Sequence, residues 1–420
     1  MDNPANRVIF AAMTYDSDLL IIGGGLNGPL LALAAAQAGF TATVIDAADS
    51  ATQRSDNFDG RSYALALASQ QMLTALGLWD TLAANAQPML DIKVSDGRAG
   101  EGPSPFFLHF DHHEIEEGPM GFMVEDRYLR RTLLDAVAAN PLIRHMTGAR
   151  VVAQSCDMLR AEVTLASGQT VTGRLIIGCD GRRSGTASRA GITRTGWDYG
   201  QTALVCAIAH EKPHHGCAHQ FFMPPGPLAI LPLTGNRSSI VWSESHDQAA
   251  AINALSDADY LSVLRPRFGD FLGEISLAGA RFTYPLSLSL ASGLTADRLA
   301  LVGDAAHGIH PIAGQGLNAG FRDIAALAEV MTDAARRGED IASPMVLSRY
   351  AEWRRFDIAS LAGATDAFNR LFSNDNALLR GLRDLGMGLV NAAPTLRRTF
   401  IREAAGLTGD LPRLLTGKPL

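Results

Sequence analysis

The residues best suited to ligand chemistry lie in one stretch, Leu299 to Asp323. An apolar run from Leu299 to Val302 predicts a buried strand, and apolar residues at helical spacing from Leu317 to Met331 predict a helix. Gly303 and Asp304 fall at the end of the strand. A carboxylate fixed there can accept hydrogen bonds from polyol hydroxyls, and the following helix N-terminus favours negative charge. The stretch suits a ring whose reduced form is an anion.

The loop that follows is rich in glycine. Gly314, Gly316 and Gly320 leave room for a flat ligand to approach the backbone, and Pro311 stiffens the approach. An ordinary strand-to-helix turn with glycines is the alternative interpretation.

A second glycine-rich stretch, G-G-G-L-N-G, begins at Gly23 after a predicted strand from Leu19 to Ile22. A short helix from Leu30 to Ala38 and a strand from Thr41 to Ile45 follow, and Asp46 ends that strand. This order of elements predicts a dinucleotide-binding unit. It does not choose between FAD and NAD, because both carry the ADP half that such a unit binds.

Each residue of this unit has a physical role. Gly23 forms the tight turn, Gly25 lets the backbone approach a pyrophosphate, and Gly28 lets the helix pack on the strand. Asp46 binds the ribose hydroxyls, and Asn27 is assigned to the same cofactor site. A glycine-rich turn without a nucleotide is the alternative.

The pattern G-D-A-A-H-x-x-x-P-x-x-G-Q-G-x-N-x-G-x-x-D, which begins at Gly303, resembles the flavin-seating motif of single-component FAD-dependent aromatic hydroxylases. It is most similar to that of the ubiquinone-biosynthesis hydroxylases, which act on polyprenyl phenols. The resemblance implies a p-hydroxybenzoate-hydroxylase-like α/β fold. Its parts are a Rossmann-like FAD-binding domain (1–90, 120–195 and 285–345), an antiparallel β-sheet substrate domain (91–119 and 196–284) and a C-terminal helical segment (346–420).

The resemblance also implies most of the site. Arg61, in a D-x-R pattern, would reach the pyrophosphate or the flavin, with Arg54 as a nearby alternative. Arg127 would contact the polyol chain or the phosphates. Asp180, in a D-G motif, would serve both FAD and the nicotinamide cofactor, although Asp-Gly is also a common turn pair.

The loop after the G-D pair completes the predicted cofactor site. Its cofactor-binding residues are expected to be Gly303, Asp304, Gly314, Gly316, Leu317 and Asn318. The residues bordering the reacting ring, assigned as catalytic, are Pro311, Gly314, Gln315 and Gly316.

Short apolar strands are predicted from about residue 197 to 284, and they resemble the antiparallel sheet that covers the flavin in these hydroxylases. We expect Phe221, Phe222, Met223 and Leu231 to lie near the substrate ring or its isoprenoid tail. Ordinary core packing explains the same residues equally well.

The resemblance implies the reaction. NAD(P)H binds transiently and reduces FAD, and the reduced flavin forms a hydroperoxide with O2 that transfers oxygen to a polyprenyl phenol. One alternative is a hydroxylase of a small soluble aromatic acid, whose carboxylate Arg237 or Arg281 could bind. The other is a flavin-binding subunit that supports a biosynthetic complex without catalysis.

Composition excludes some functions. A net charge of −7 and a pI near 5.9 argue against nucleic-acid partners. Four cysteines without a metal-binding spacing favour a reducing cytoplasm and no metal site. His109, His112 and His113 invite a metal interpretation, but an edge strand explains them better. Basic and apolar residues near the C-terminal end, including Arg398 and Phe400, favour a peripheral position at the inner membrane face as much as a solvated helix.

Overall fold

A computed structural model describes residues 15–49, 58, 60–98, 100, 102–267, 269–309, 314–372 and 393–420. The helices in chain order are α1 (Asn27–Gln37), α2 (Leu67–Ala75), α3 (Trp79–Ala83), α4 (Asp126–Ala139), α5 (Gly185–Arg189), α6 (His246–Asn253), α7 (Asp257–Leu264), α8 (Gln315–Arg336), α9 (Pro344–Phe372) and α10 (Pro394–Ala404). The predicted sites at Arg54 and Pro311 lie outside the described residues.

The strands in chain order are β1 (Leu19–Ile22), β2 (Ala42–Ile45), β3 (Ser62–Ala66), β4 (Ala86–Met89), β5 (Asp91–Arg98), β6 (Gly102–Asp111), β7 (Gly121–Glu125), β8 (Ile143–Met146), β9 (Val151–Cys156), β10 (Ala161–Leu165), β11 (Thr170–Gly173), β12 (Leu175–Gly178), β13 (Arg194–His210), β14 (Cys217–Met223), β15 (Gly226–Leu233), β16 (Arg237–Ser245), β17 (Ile275–Leu277), β18 (Phe282–Ala291), β19 (Thr295–Ala296), β20 (Leu299–Leu301) and β21 (His307–Gly308).

The first large sheet has the order β19-β20-β12-β1-β2-β8 and is parallel from β20 to β8. Its central strands read as unbroken apolar runs because both faces are covered. Helices α1, α4 and α8 share one large buried core with these strands. The carboxyl ends of β1, β12 and β20 therefore meet at one edge, where open α/β sheets bind ligands.

The second large sheet has the order β21-β18-β13-β16-β15-β14-β5-β6, with β17 also paired to β13. Its pairs are antiparallel apart from β14 and β5. Helices α6 and α7 cover one face through a core that contains Trp242 and Tyr260. Strand β21 lies within the predicted flavin motif, between Asp304 and Gly314, so the sheet reaches into the range predicted for the FAD-binding domain.

The C-terminal part of the chain packs on both sheets. Ile401 of α10 is buried against Ile115 and Met120 beside the second sheet. Residues 405–420 return to the first sheet, where Leu414 and Leu415 join the main core. Among the described residues, no helix is both long enough and apolar enough to cross a bilayer.

Candidate active site

The turn after β1 has the conformation that its glycines require. Gly23 has a φ of +111°, and a Cβ there would overlap the carbonyl of Cys179, directly after β12. A Cβ on Gly28 would overlap the carbonyl of Gly23, so α1 packs closely on the turn. A Cβ on Gly25 would meet nothing within 4 Å. The space at Gly25 is thus open, beside two closely packed glycines, as the predicted approach of a pyrophosphate requires.

Asp46 lies beside this turn. Its carboxylate accepts hydrogen bonds from the backbone N–H of Gly24 and, at 2.6 Å, from that of Ala48. These hydrogen bonds hold Asp46, the residue predicted to bind the ribose, next to the glycine turn.

The loop after β20 lies directly against this turn. The side chain of Asn27, at the start of α1, occupies the space that a Cβ on Gly303 would need. A Cβ on Gly320 of α8 would lie 2.8 Å from the same amide. Asn27 Oδ1 is buried and has no hydrogen-bond partner among the described residues. The two predicted cofactor segments thus meet at a single side chain.

Asp304 extends from this loop and pairs with Arg182, whose Nε lies 3.1 Å from Oδ2. Arg182 Nη2 also donates to the carbonyl of Ile309 at 2.9 Å. Arg182 is a site residue that the sequence predictions missed, although it directly follows the D-G motif. Asp304 keeps 42% of its side chain exposed, so it can still accept hydrogen bonds from a polyol.

The N-terminus of α8 begins at Gly314, whose φ is +65°. A Cβ there would lie 2.9 Å from Cβ of Ala64, so β3 closes one side of the loop. Gln315, Gly316 and Leu317 form the first turn and are half-buried. The start of a helix carries the positive end of the helix dipole, so this turn suits a group that carries negative charge.

Two of the residues predicted to bind the cofactor, Asn318 and Asp180, form side-chain hydrogen bonds with other protein groups. Asn318 Oδ1 accepts from Ala66 N and Ser69 Oγ, and Nδ2 donates to the carbonyls of Ala64 and Gly314. This fills the hydrogen-bonding capacity of the amide. The side chain of Asn318 therefore ties α8 to β3, and the cofactor contact expected of this residue stays a prediction.

The carboxylate of Asp180 is the second of these groups, and its predicted cofactor role stays a prediction. Its carboxylate accepts from Ser184 Oγ at 2.5 Å and from the N–H and hydroxyl of Thr186 at 2.9 Å. It therefore stabilises the start of α5, as the turn interpretation expected.

The two described arginines of the predicted site lie near the start of α4. Arg61 is 49% exposed and lies 3.5 Å from Asp126. Arg127 donates from Nε to Glu125 at 2.8 Å and stacks over Phe58 at 5.2 Å. Glu125 is almost fully buried and holds Arg127 in place.

The four predicted substrate residues do not form one surface. Phe221 and Met223 pack with Trp242 under α6 and α7. Phe222 and Leu231 belong to clusters on the opposite face. Because side chains alternate along a strand, Phe221 and Met223 cannot face the same ligand as Phe222. Phe221 and Met223 pack as the core alternative expects, and a contact of these four residues with the substrate stays a prediction.

Leu231 shares its cluster with Phe58 and Ala64, and Ala64 also contacts the Gly314 position. The neighbouring side chains on this face include Ala203, Val205 and Leu286. An apolar wall therefore faces the side of the molecule that carries the glycine loop.

A group of possible metal ligands lies far along this sheet, at the end of β6. Asp111, His112 and His113 bring three ligand atoms within 4.8 Å of one another. Asp111 Oδ1 already accepts from Nδ1 of His113 at 2.8 Å, which lowers the pKa of that carboxyl together with the N–H of His113. His113 is mostly exposed.

A nucleotide-binding parallel sheet, an apolar second sheet and one glycine-rich loop between them define an FAD-dependent oxidoreductase. The FAD binding domain family matches residues 16–361. Ubiquinone hydroxylase UbiL of Rhodospirillum rubrum is 46% identical over 96% of this chain and 94% of its own length. 3-Demethoxyubiquinol 3-hydroxylase of Escherichia coli is 34% identical over 93% of this chain and 99% of its own length.

The fold is also found in p-nitrophenol 4-monooxygenase PnpA of Pseudomonas putida. Its structure superposes with a TM-score of 0.78 at 20% identity, over 94% of this chain and 99% of that one. The predicted fold class is confirmed. The chain belongs to the FAD binding domain family and, within it, to the FAD-dependent hydroxylases of ubiquinone biosynthesis. FAD is its cofactor, and the chain is an FAD-dependent aromatic monooxygenase.

Proposed function

We propose that this protein hydroxylates the aromatic ring of a polyprenyl phenol in ubiquinone biosynthesis, using NAD(P)H and O2. The names of its relatives support the pathway. The observation that carries the substrate class is the apolar sheet face around Leu231, Val205 and Leu286, next to the glycine loop. Such a face suits an uncharged ring with a hydrocarbon tail, because burying apolar surface favours binding.

The pairing of two arginines further supports an uncharged substrate. Arg237 donates from Nη2 to Glu125 at 2.7 Å, and that carboxylate also binds Arg127. Arg281 donates to the carbonyl of Leu255 at 2.9 Å, on the side covered by α6 and α7. Arg237 is thus bound by a protein carboxylate, and Arg281, which also pairs with Asp257 at 3.4 Å, lies on the side of the sheet away from the glycine loop.

The chain's own residues bind, orient and exclude water. We assign Asp46 to the ribose, the open backbone at Gly25 to the pyrophosphate and Asp304 to the polyol chain. The first turn of α8 would stabilise negative charge on the ring. When bound, reduced FAD supplies the activation of O2. The apolar wall would keep water from the reacting ring.

We propose the domain division given by the sequence, with the parallel sheet as the FAD-binding part and the second sheet as the substrate part. The sheet memberships of β1, β12 and β20 on one side and of β13 to β16 on the other support it. Strands β18 and β21 join the two parts, since β18 runs past residue 284 and β21 pairs with it.

We also propose that the protein touches the membrane surface peripherally. Leu396 and Phe400, four residues apart on α10, expose 43% and 41% of their surface and support an apolar contact. Arg397 and Arg402 pair with Glu114 and Glu117, which leaves less positive charge for anionic lipid. Sedimentation with neutral and anionic vesicles tests this proposal, which fails if neither retains the protein.

The decisive experiment for the reaction uses the flavin-loaded protein with NADH or NADPH, O2 and either a polyprenyl phenol or 4-hydroxybenzoate. We expect the polyprenyl phenol to stimulate NAD(P)H oxidation and to gain one oxygen atom by mass spectrometry. Hydroxylation of 4-hydroxybenzoate alone would favour a hydroxylase of soluble acids. Flavin binding without stimulation by either phenol would favour a non-catalytic subunit.

A further inference from the structure

A buried carboxylate lies next to the loop that carries Asp304. Asp323, on α8, is fully buried. Its Oδ2 accepts hydrogen bonds from the N–H of Gly303 at 2.9 Å and from Nε2 of His307 at 2.6 Å. Its Oδ1 accepts from Nε of Arg354 on α9 at 2.8 Å. One side chain therefore holds both ends of the segment from Gly303 to His307.

The carboxylate stays ionised in this place. Burial by itself raises the pKa of Asp323, but His307 and Arg354 outweigh it and lower the pKa below its ordinary value. Arg354 also donates to Asp357 at 2.5 Å, and Asp357 is 30% exposed. Asp357 shares the arginine with Asp323 but makes no described contact with the loop.

The orientation of His307 depends on this carboxylate. The ring is fully buried, and its Nδ1 has no hydrogen-bond partner among the described residues. Among the described residues, the hydrogen bond of the His307 ring is therefore the one between Nε2 and Asp323. Gly303 has a φ of +64°, so the hydrogen bond to its N–H fixes a backbone conformation that other residues rarely adopt.

We propose that Asp323 is a positioning residue for the cofactor. By holding Gly303 and His307, it sets the loop so that the carboxylate of Asp304 is presented to the polyol chain. Binding sites depend on such supporting contacts, because their ligands must lie within about 0.5 Å of the productive geometry. The inference rests on the role proposed above for Asp304.

The first test compares Asp323→Asn with Asp357→Asn. Both variants remove one negative charge beside Arg354, and only the first alters the loop. The dissociation constant of FAD is measured by fluorescence with apoprotein, and the unfolding midpoint of the apoprotein is measured in parallel. We expect Asp323→Asn to weaken FAD binding about tenfold or more and Asp357→Asn to change it less than about threefold.

The second test keeps the inference falsifiable if Asp323→Asn does not fold. His307→Gln retains an N–H donor at a similar distance from the backbone, whereas His307→Phe fills the space without a donor. We expect His307→Gln to retain FAD affinity and His307→Phe to lose about tenfold. Equal affinities for these two variants, or wild-type affinity for Asp323→Asn, would overturn the inference.

These measurements need no phenol, so they do not depend on the proposed reaction. Asp304→Ala distinguishes the proposed role of Asp304 from that of Asp323. If Asp304→Ala binds FAD like the wild type, the proposed role of Asp304 fails and the inference fails with it. If Asp304→Ala loses FAD while Asp323→Asn and His307→Phe keep it, the role of Asp304 stands and only the inference about Asp323 is overturned.

Discussion

The side chain of Asn27 occupies the space that a side chain at Gly303 would need. The two residues belong to different segments, the turn after β1 and the loop after β20, and their contact brings the two halves of the cofactor site together. Gly320 completes the arrangement on α8. The side chain of Asn27 therefore fits only because Gly303 and Gly320 have no Cβ atoms.

Gly320→Ala tests this arrangement. The new Cβ would lie 2.8 Å from the amide of Asn27, so we expect a loss of about 1–3 kcal/mol in stability and a lower flavin content. Chemical denaturation and the ratio of flavin to protein absorbance measure the two effects. Adding Asn27→Ala to Gly320→Ala should restore part of the stability by removing the overlap.

Gly363→Ala is the matched control, because Gly363 lies in helix α9 and a Cβ there meets nothing within 4 Å. It should be neutral or stabilising by up to about 1 kcal/mol, since alanine favours a helix. A stability loss at Gly363 equal to that at Gly320 would contradict the steric explanation.

Gly25→Val should separate cofactor binding from folding. Among the described residues, no atom beyond the chain neighbours lies within 4 Å of a Cβ at Gly25, so the apoprotein should keep its melting temperature. The side chain would instead fill the space assigned to the pyrophosphate and abolish flavin binding. Gly28→Val should destabilise the apoprotein itself, because its Cβ would overlap the carbonyl of Gly23. Normal flavin content in Gly25→Val would refute this assignment.

Ile230 and Leu231 are neighbours on β15 that face opposite sides of the sheet. Ile230→Ala should cost about 2–5 kcal/mol of stability and leave KM for the polyprenyl phenol unchanged. Leu231→Ala should cost less, because Leu231 is only half-buried, and should raise KM about tenfold. Steady-state kinetics and urea unfolding distinguish the two. Unchanged KM in Leu231→Ala would remove this face from the substrate site.

His219 should make the protein sensitive to acid. Burial lowers its pKa to about 4, so between pH 6.5 and 4 the unfolded chain binds more protons and stability falls as the pH falls. From pH 7 to pH 5 this amounts to about 2 kcal/mol. His219→Phe should reduce the measured loss by that amount. Equal pH dependence in wild type and His219→Phe would contradict the expectation.

The sequence was sufficient for the fold class and for the order of the segments around the cofactor. Glycine stands at Gly23 and Gly303 because Cys179 and Asn27 approach these positions closely, and the motif marks both positions although the contacting residues are distant in the sequence. The sequence did not reveal which face of β14 meets the ligand, because F-F-M carries no polar residue to mark the solvated side. That choice depends on α6 and α7, which cover Phe221 from a distant part of the chain.

Side-chain partners were the hardest part to predict. The amide of Asn318 and the carboxylate of Asp180 could bind a cofactor or the protein equally well, and the folded chain decides by proximity. Asp323 stood in the recognised motif, but its partner Arg354 lies on another helix. Such pairings follow from helix packing and leave no local pattern.

The packing of residues 405–420 on the first sheet affects the order of events during synthesis. The carbonyl of Ala405 accepts from Ala68 N at 3.0 Å, and Arg413 binds Glu329 and Asp333 on α8. The helix that carries Asp323 thus lacks part of its support until these residues leave the ribosome. A nascent chain halted before them should remain colourless, and flavin should be acquired only after their release.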